Sequence, residues 1–538
     1  MAAKSLAVEF DERKIDAIFS QVDQCHKPGA AVGIAIDGKP VYRKGFGLAN
    51  MELPIVLSPS IRMRIYSMTK HFACLAYMLL CEDGKAGLDD AIGKHVVGLN
   101  PASQNATVLQ LMGHTSGIRD ANDICWQFNG TGLPATSADL VALYRDINDV
   151  NTPAGTTWIY NIGGYLLLTA AIEQIAGKRF EDVLRERIFE PVGMFNTMLR
   201  RRDIDFIPNS ATMHMTTMDG AYVKSYLGNM AGEGGIVSTV DDMLRWLKHM
   251  DAPVVGTAET WKLMKAPHVL ANGTSTGYGL GLWAGKYRGA DQVRHGGVGM
   301  GANSQMIKLP GAALDIVVMV NGHDLSAFTF GNHIIDACVS GLEPVKEEVK
   351  GKLLTGVYVS KKTGRVVRLS PAERATPVIK EGQQIATVDG IDIPVVISDD
   401  GNLHPTALLG PSSRLLVTPM GGGTEPGSLR LNEFGNIDEF VRQKASVQPD
   451  PRNFAGRYAH PATGTEATIY DTDNSVRLKT AGRFGATELE LECLAEGYWR
   501  AKATTPMPWG GTLSFDSNGR SFLYHSDRTV GLRFLRCG

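Results

Sequence analysis

Four side chains in this sequence have the types and the order of a hydroxyl-based acyl-transfer site: Ser67, Lys70, Tyr160 and His295. Ser67 and Lys70 head an apolar run, His71 to Leu80, with no Pro or Gly before Gly84. Such a run predicts a buried helix starting at or near Ser67, and residues three apart share a helix face. A helix start gathers unsatisfied N–H groups and positive partial charge. Desolvation favours the uncharged form of an amine, which can then take a proton from a neighbouring hydroxyl. The pair also fits an ordinary helix start with a solvated lysine, so other stretches must decide.

The second stretch is Trp158-Ile159-Tyr160-Asn161-Ile162-Gly163-Gly164-Tyr165. A phenol beside an amine can relay a proton between nucleophile and leaving group; Tyr160 also fits a core or rim aromatic. The third is Arg294-His295-Gly296-Gly297-Val298 at a strand end. Its paired glycines allow a substrate to lie along the strand edge. The N–H of Val298 could join that of Ser67 as an oxyanion hole, with His295 facing the site and helping to set its charge. The loops Gly113–Ile118 and Gly232–Thr239 read as scaffold, because no phosphate-binding glycine pattern follows a strand.

To position these groups, the chain needs a sheet with helices on it. Ile15, Ile18, Phe19 and Val22 are spaced as an amphipathic helix. Ala30–Ile36 and Pro40–Gly47 flank Asp37-Gly38 as a hairpin. Helical periodicity then dominates from about 85 to 260, as in Leu166–Ala176, Phe180–Phe189 and Thr239–Met250. Strand patterns return at Gly279–Ala284, Asp291–His295, Ser304–Leu309 and Leu314–Asn321, before a helix over about Ser326–Val339. This predicts an α/β unit: an antiparallel sheet carrying helices, with an inserted helical subdomain.

Beyond about 343 the pattern changes to short alternating runs rich in Gly and Pro. Gly356-Val357-Tyr358 with Thr363-Gly364 recurs as Gly456-Arg457-Tyr458 with Thr463-Gly464, at a constant offset. Two similar β-barrels or sandwiches are expected, joined near Gln448–Arg452. The expected domains are therefore 1–342, 343–448 and 449–538.

The chain of 538 residues carries 54 Lys and Arg against 56 Asp and Glu. With no basic run, nucleic acid is a poor partner. No apolar stretch is long enough for a membrane span. The seven cysteines are scattered and lack metal-ligand spacing, so neither a metal nor another cofactor is expected. The N-terminal residues lack a secretory signal, which predicts a cytoplasmic protein, or a periplasmic one if a signal has been removed.

Ser67-x-x-Lys70, Tyr160 and His295-x-Gly297, in this order, resemble the penicillin-recognising serine hydrolases. The loops His114–Gly117 and Gly234–Thr239 resemble landmarks of that superfamily. His at the head of the third motif, and two β-barrels after the first domain, resemble its D-aminopeptidase branch. The resemblance implies a β-lactamase-like domain in which Ser67 forms an acyl-enzyme while Lys70 and Tyr160 move protons. It implies a small peptide, amide or ester as substrate, with Gly296 and Gly297 lining its path. It also implies a homodimer, and a loop of the last barrel that enters the cleft and supplies a carboxylate. Here that loop would be Ala481–Glu488 and the carboxylate Glu488. One departure stands out: the usual Tyr-x-Asn has Ile162 in its third position. That removes an amide contact to substrate and raises the reading of a carboxylesterase, or of a peptidase for unusual peptides. A penicillin-binding-like sensor is the non-enzymatic alternative. A β-lactamase is disfavoured by the histidine and the narrowed cleft.

Overall fold

The structure is a computed structural model that describes residues 6–130, 132, 135–217, 219–226, 228–345, 353–376, 379–406, 415–444, 453–472, 475–503 and 510–537. Its first part is built on a six-stranded antiparallel sheet. The strands are β1 (Ala30–Ile36), β2 (Lys39–Phe46), β3 (Trp283–Tyr287), β4 (Ala290–Gly299), β5 (Ala302–Leu309) and β6 (Leu314–Val320), in the order β3-β4-β5-β6-β1-β2. The β1–β2 hairpin turns through Asp37 and Gly38, both at positive φ as a tight two-residue turn requires.

Both faces of this sheet are covered. Ala30, Val32, Ile34, Ile316 and Val318 share a core with Ile15 and Phe19 of helix α1 (Glu12–Phe19) and with Ile334 and Ile335 of helix α6 (Ala327–Cys338). Ala31, Ala35, Val317 and Met319 face the opposite core. There they meet helix α2 (Thr69–Glu82) and helix α5 (Val240–His249). Period-two alternation between two buried faces is why these strands read as nearly continuous apolar runs. Helix α2 is buried from Thr69 to Leu80, as an all-round apolar helix must be. The inserted helices include α3 (Ala121–Asn129) and α4 (Gly163–Ala176), and α4 packs on α2.

Two corrections apply to this region. The strand expected at Gly279–Ala284 begins only at Trp283, because Gly281 at φ +71 turns the chain against the backbone of His71. The helix expected over Phe180–Phe189 is regular only to Leu184 and then widens into a π turn.

The tail forms two closed antiparallel barrels of eight strands each, from Gly356–Ser360 to Asn436–Arg442 and from Gly456–His460 to Leu532–Arg536. The sequence repeat marks their first strands. Tyr358 and Tyr458 each donate a phenolic hydrogen bond to the carbonyl just before their strand, on Thr355 and Phe454. The expected join at 448–452 lies outside the described residues. Ile124 and Phe128 of α3 belong to the core of the second barrel, alongside Tyr524 and Phe534. The barrels meet through the ion pairs Arg368–Glu492 and Arg500–Asp392, each 2.9 Å. Among the described residues, no helix is long and apolar enough to cross a membrane.

Candidate active site

Ser67 lies in a short 3₁₀ turn, Tyr66–Met68, that leads into α2. It is not a side-chain cap; its hydroxyl accepts a hydrogen bond from Lys70 Nζ at 3.0 Å. Lys70 is fully buried, and its amine also donates to the Glu233 carbonyl at 2.6 Å. The amine is thus fixed on the hydroxyl, and the reading of a solvated lysine is removed. Tyr66, just before the nucleophile, is held at φ +45 with its side chain buried. A large residue in that backbone region is costly and is usually held in place by its surroundings. Here the phenol is anchored to Met213 Sδ at 2.6 Å.

Tyr160 joins this pair. Its ring centroid lies 4.9 Å from Lys70 Nζ, and that of Tyr165 lies 5.3 Å away. The segment carrying Tyr160 is held by Asp120, a fully buried carboxylate that caps α3. Asp120 accepts from the N–H groups of Asn122, Asp123, Ile162 and Gly163 at 2.6–3.1 Å. Asn161 points away, as its one-residue offset requires: its amide donates to Ile118 O and its oxygen accepts from Gly164 N. Ile162 is buried in an apolar cluster with Tyr66, Trp126, Met230 and Ala302, with Met213, Met300 and Tyr160 at its edge. Where the family pattern carries an amide, this chain has an apolar cluster, as Ile162 in the sequence implies.

The third motif lies on β4. Strand β3 pairs with β4 only as far as Arg294, so residues 295–299 have no β3 partner along that edge. His295, Gly297 and Gly299 share one face of the strand. A Cβ on Gly297 would come within 2.0 Å of the Ile65 carbonyl, and one on Gly299 within 2.0 Å of the Tyr66 ring. The glycines therefore let the strand press against the nucleophile's own turn. Gly296 and Val298 alternate to the other face, with Val298 75% exposed. Gly297→Ala must push the strand off that turn. We expect kcat/KM to fall by about 100-fold, the scale of an ångström's misplacement, with far-UV circular dichroism unchanged.

His295 is buried, and neither ring nitrogen hydrogen-bonds the nucleophile. Its Nδ1–H donates to Gly296 O at 2.6 Å, and its Nε2 accepts from the Tyr278 hydroxyl at 3.0 Å. Burial pushes its pKa down to about 3, so the ring is neutral and contributes no charge to the site. Between pH 6.5 and 3 the unfolded chain binds a proton here that the folded chain refuses. Stability from this group is complete above pH 6.5 and is lost as pH falls, by about 2 kcal/mol at pH 5. In His295→Gln the decline in unfolding free energy between pH 7 and 5 should be shallower by that amount, as read by denaturant titration.

Glu488 does not reach the cleft. It is exposed on the outer face of the last barrel and accepts from the Tyr470 hydroxyl at 2.9 Å. In the strand Ala486–Ala495, Leu489 and Leu491 fill the barrel core, so period two turns Glu488 outward. The Ala481–Glu488 hairpin instead docks on α3, where Phe484 N donates to Asn129 Oδ1 at 3.1 Å. A different loop of the same barrel, Ser526–Val530, reaches Tyr160: the guanidinium carbon of Arg528 lies 5.3 Å from the Tyr160 ring centroid. Burial works against the Arg528 charge, but Asp527, Asp123 and Asp120 outweigh it and hold its pKa above the usual value. The first barrel touches the same segment, with Phe434 5.3 Å from Trp158.

Sequence reasoning missed Asp120, Glu233, Tyr278 and Arg528. Only Asp120 had a signal, as an N-cap residue before an apolar run. The others act through a carbonyl or through contacts distant in sequence.

A model of the Beta-lactamase family matches residues 15–337, and the chain belongs to that family. It is 27% identical over 352 residues to a D-aminopeptidase of Gluconobacter oxydans (strain 621H), covering 64% of this chain and 65% of that protein. The match thus spans just under two thirds of that relative's length. A D-aminopeptidase of Brucella anthropi is 27% identical over 383 residues, covering 68% and 70%. Among solved structures, the octameric penicillin-binding protein homologue from Pyrococcus abyssi superposes with a TM-score of 0.58 at 20% identity, over 89% of this chain and all of that one. The D-amino acid amidase from Ochrobactrum anthropi SV3 does so with a TM-score of 0.52 at 21% identity, over 61% and 98%. These structures share the fold.

Proposed function

We propose that this chain is a serine amide hydrolase of D-aminopeptidase type, cleaving short peptides or amino-acid amides through an acyl-enzyme. The observation that carries the reading is a buried amine 3.0 Å from the Ser67 hydroxyl, beside a phenol. Ser67 Oγ attacks the carbonyl as Lys70 accepts its proton. The proton passes through Tyr160 to the leaving nitrogen, and the C–N bond breaks. Water then attacks the ester and releases Ser67 and the acid. The N–H groups of Ser67 and Val298 hold the oxyanion. Gly296 and Gly297 line the strand edge along which the substrate lies, and His295 acts through Tyr278. The carboxylesterase alternative is favoured by one feature, the apolar cluster at Ile162 in place of the motif's amide.

We divide the chain into domains 1–342, 343–448 and 449–538, with the loop Ser526–Val530 as the element of the last one that borders the site. The seven free thiols support a cytoplasmic location. Self-association as a homodimer is expected, and sedimentation measures it.

The deciding experiment compares kcat/KM for the p-nitroanilides of D- and L-alanine with that for p-nitrophenyl acetate. Faster turnover of the D-anilide than the L-anilide is expected. Hydrolysis of the ester with neither anilide cleaved replaces this reading with the esterase.

A further inference from the structure

Arg528 is a charged group near the reacting atoms that the mechanism above does not use. Its backbone is tightly held. Arg528 O accepts from Asn151 Nδ2 at 2.7 Å, and Val530 N donates to Asn151 Oδ1 at 3.0 Å. Arg119 Nη1 donates to Val530 O at 2.6 Å. Thr529 and Ser526 donate hydroxyl hydrogen bonds to Asp123 Oδ2 at 3.0 and 3.4 Å. Five contacts thus lock this barrel loop to the first domain.

The head group is held far less. Among the described residues, its one direct ionic contact is with Asp527, whose half-exposed carboxylate lies 3.5 Å from Nε. Its Nε and Nη1 are buried and make no hydrogen bond to any described residue. A guanidinium presents five donors in a planar fork matched to a carboxylate. Of the other two acids nearby, Asp120 accepts four backbone N–H groups, and Asp123 accepts the two loop hydroxyls on Oδ2, while its Oδ1 is buried and takes no hydrogen bond from the guanidinium. A pair as long as that with Asp527, with its carboxylate half-exposed, contributes little and yields readily to a better-placed anion.

The position of Arg528 selects which anion. It lies beside the Tyr160 ring, and in the mechanism above Tyr160 hands a proton to the leaving nitrogen, so the leaving group is the part of the substrate brought nearest to it. We propose that Arg528 binds the carboxylate of the leaving group, and that the preferred substrates are dipeptides whose free C-terminus lies one residue beyond the scissile amide. The mechanism is unchanged: the same C–N bond breaks, and the departing amine takes its proton from Tyr160 while its carboxylate stays ionised on Arg528.

This rests on the amide-hydrolase reading. The test follows release of glycine from D-alanylglycine and of glycinamide from D-alanylglycinamide, by mass spectrometry, in the full chain and in Arg528→Gln. In the parent protein kcat/KM should favour the free carboxylate by at least about tenfold, the worth of one well-made charged hydrogen bond. In Arg528→Gln that ratio should fall towards one, and Arg528→Lys should restore part of it. A parent ratio of one or less, or a ratio that Arg528→Gln leaves intact, overturns the proposal. If neither compound is cleaved, the amide-hydrolase reading fails on its own. The subsite is then read from fluorophosphonate labelling of Ser67. N-acetylglycine should slow it in the parent and not in Arg528→Gln; equal effects in both, or none, overturn the subsite.

Discussion

Ser67→Ala should reduce amide and ester turnover by about 10⁴-fold or more, the scale seen when an acyl-enzyme nucleophile is removed, while the melting temperature stays within a few degrees. The hydroxyl is partly exposed and has a single described partner, Lys70 Nζ. Its loss leaves that amine still bonded to the Glu233 carbonyl, so little folding energy goes with it. The same variant should take up no fluorophosphonate, and intact-protein mass spectrometry should show no adduct. Turnover at parental rates would remove the acyl-enzyme mechanism altogether.

Asp120→Ala should have the largest effect on stability. One carboxylate satisfies four buried N–H groups, at the head of α3 and at the entry to α4. Removing it strands those donors where water does not reach, and hydrogen bonds to a charge are the stronger kind. A loss of about 4 kcal/mol is expected, at the upper end for a single substitution. Because two of those donors follow Tyr160 by two and three residues, activity should fall in any protein that still folds. Asp120→Asn keeps an acceptor oxygen in place and should recover part of both. Denaturant titration together with kcat distinguishes this from a purely local effect; unchanged stability in Asp120→Ala would remove Asp120 as the clamp.

Much of this arrangement is legible in the residues because it is local. Ser67 and Lys70 meet because a helix brings residues three apart together. The two barrels announce themselves because their first strands share Gly-x-Tyr at one offset. Ile162 reads as a lost amide because the motif around it is otherwise intact. What fails to read is what depends on tertiary choice. Glu488 and Arg528 belong to the same barrel, and nothing in sequence says which of its loops faces the first domain. That is decided by Ile124 and Phe128, which enter the barrel core and fix its rotation. His295 lies on the expected face of its strand, but its partner Tyr278 comes from the turn before β3, where a strand was expected. The kink at Gly281 that follows Tyr278 depends on contact with α2, far away in the chain.

The contact of Arg528 with Tyr160 also has a bearing on biosynthesis. The nucleophile and its amine are translated early, yet the guanidinium beside the phenol is made only after the first barrel and most of the second. A ribosome-bound chain can fold its first domain and still have one side of its cleft missing. That border is in place only once the second barrel has been made, so a product truncated before it would carry the reactive serine without the group beside the phenol.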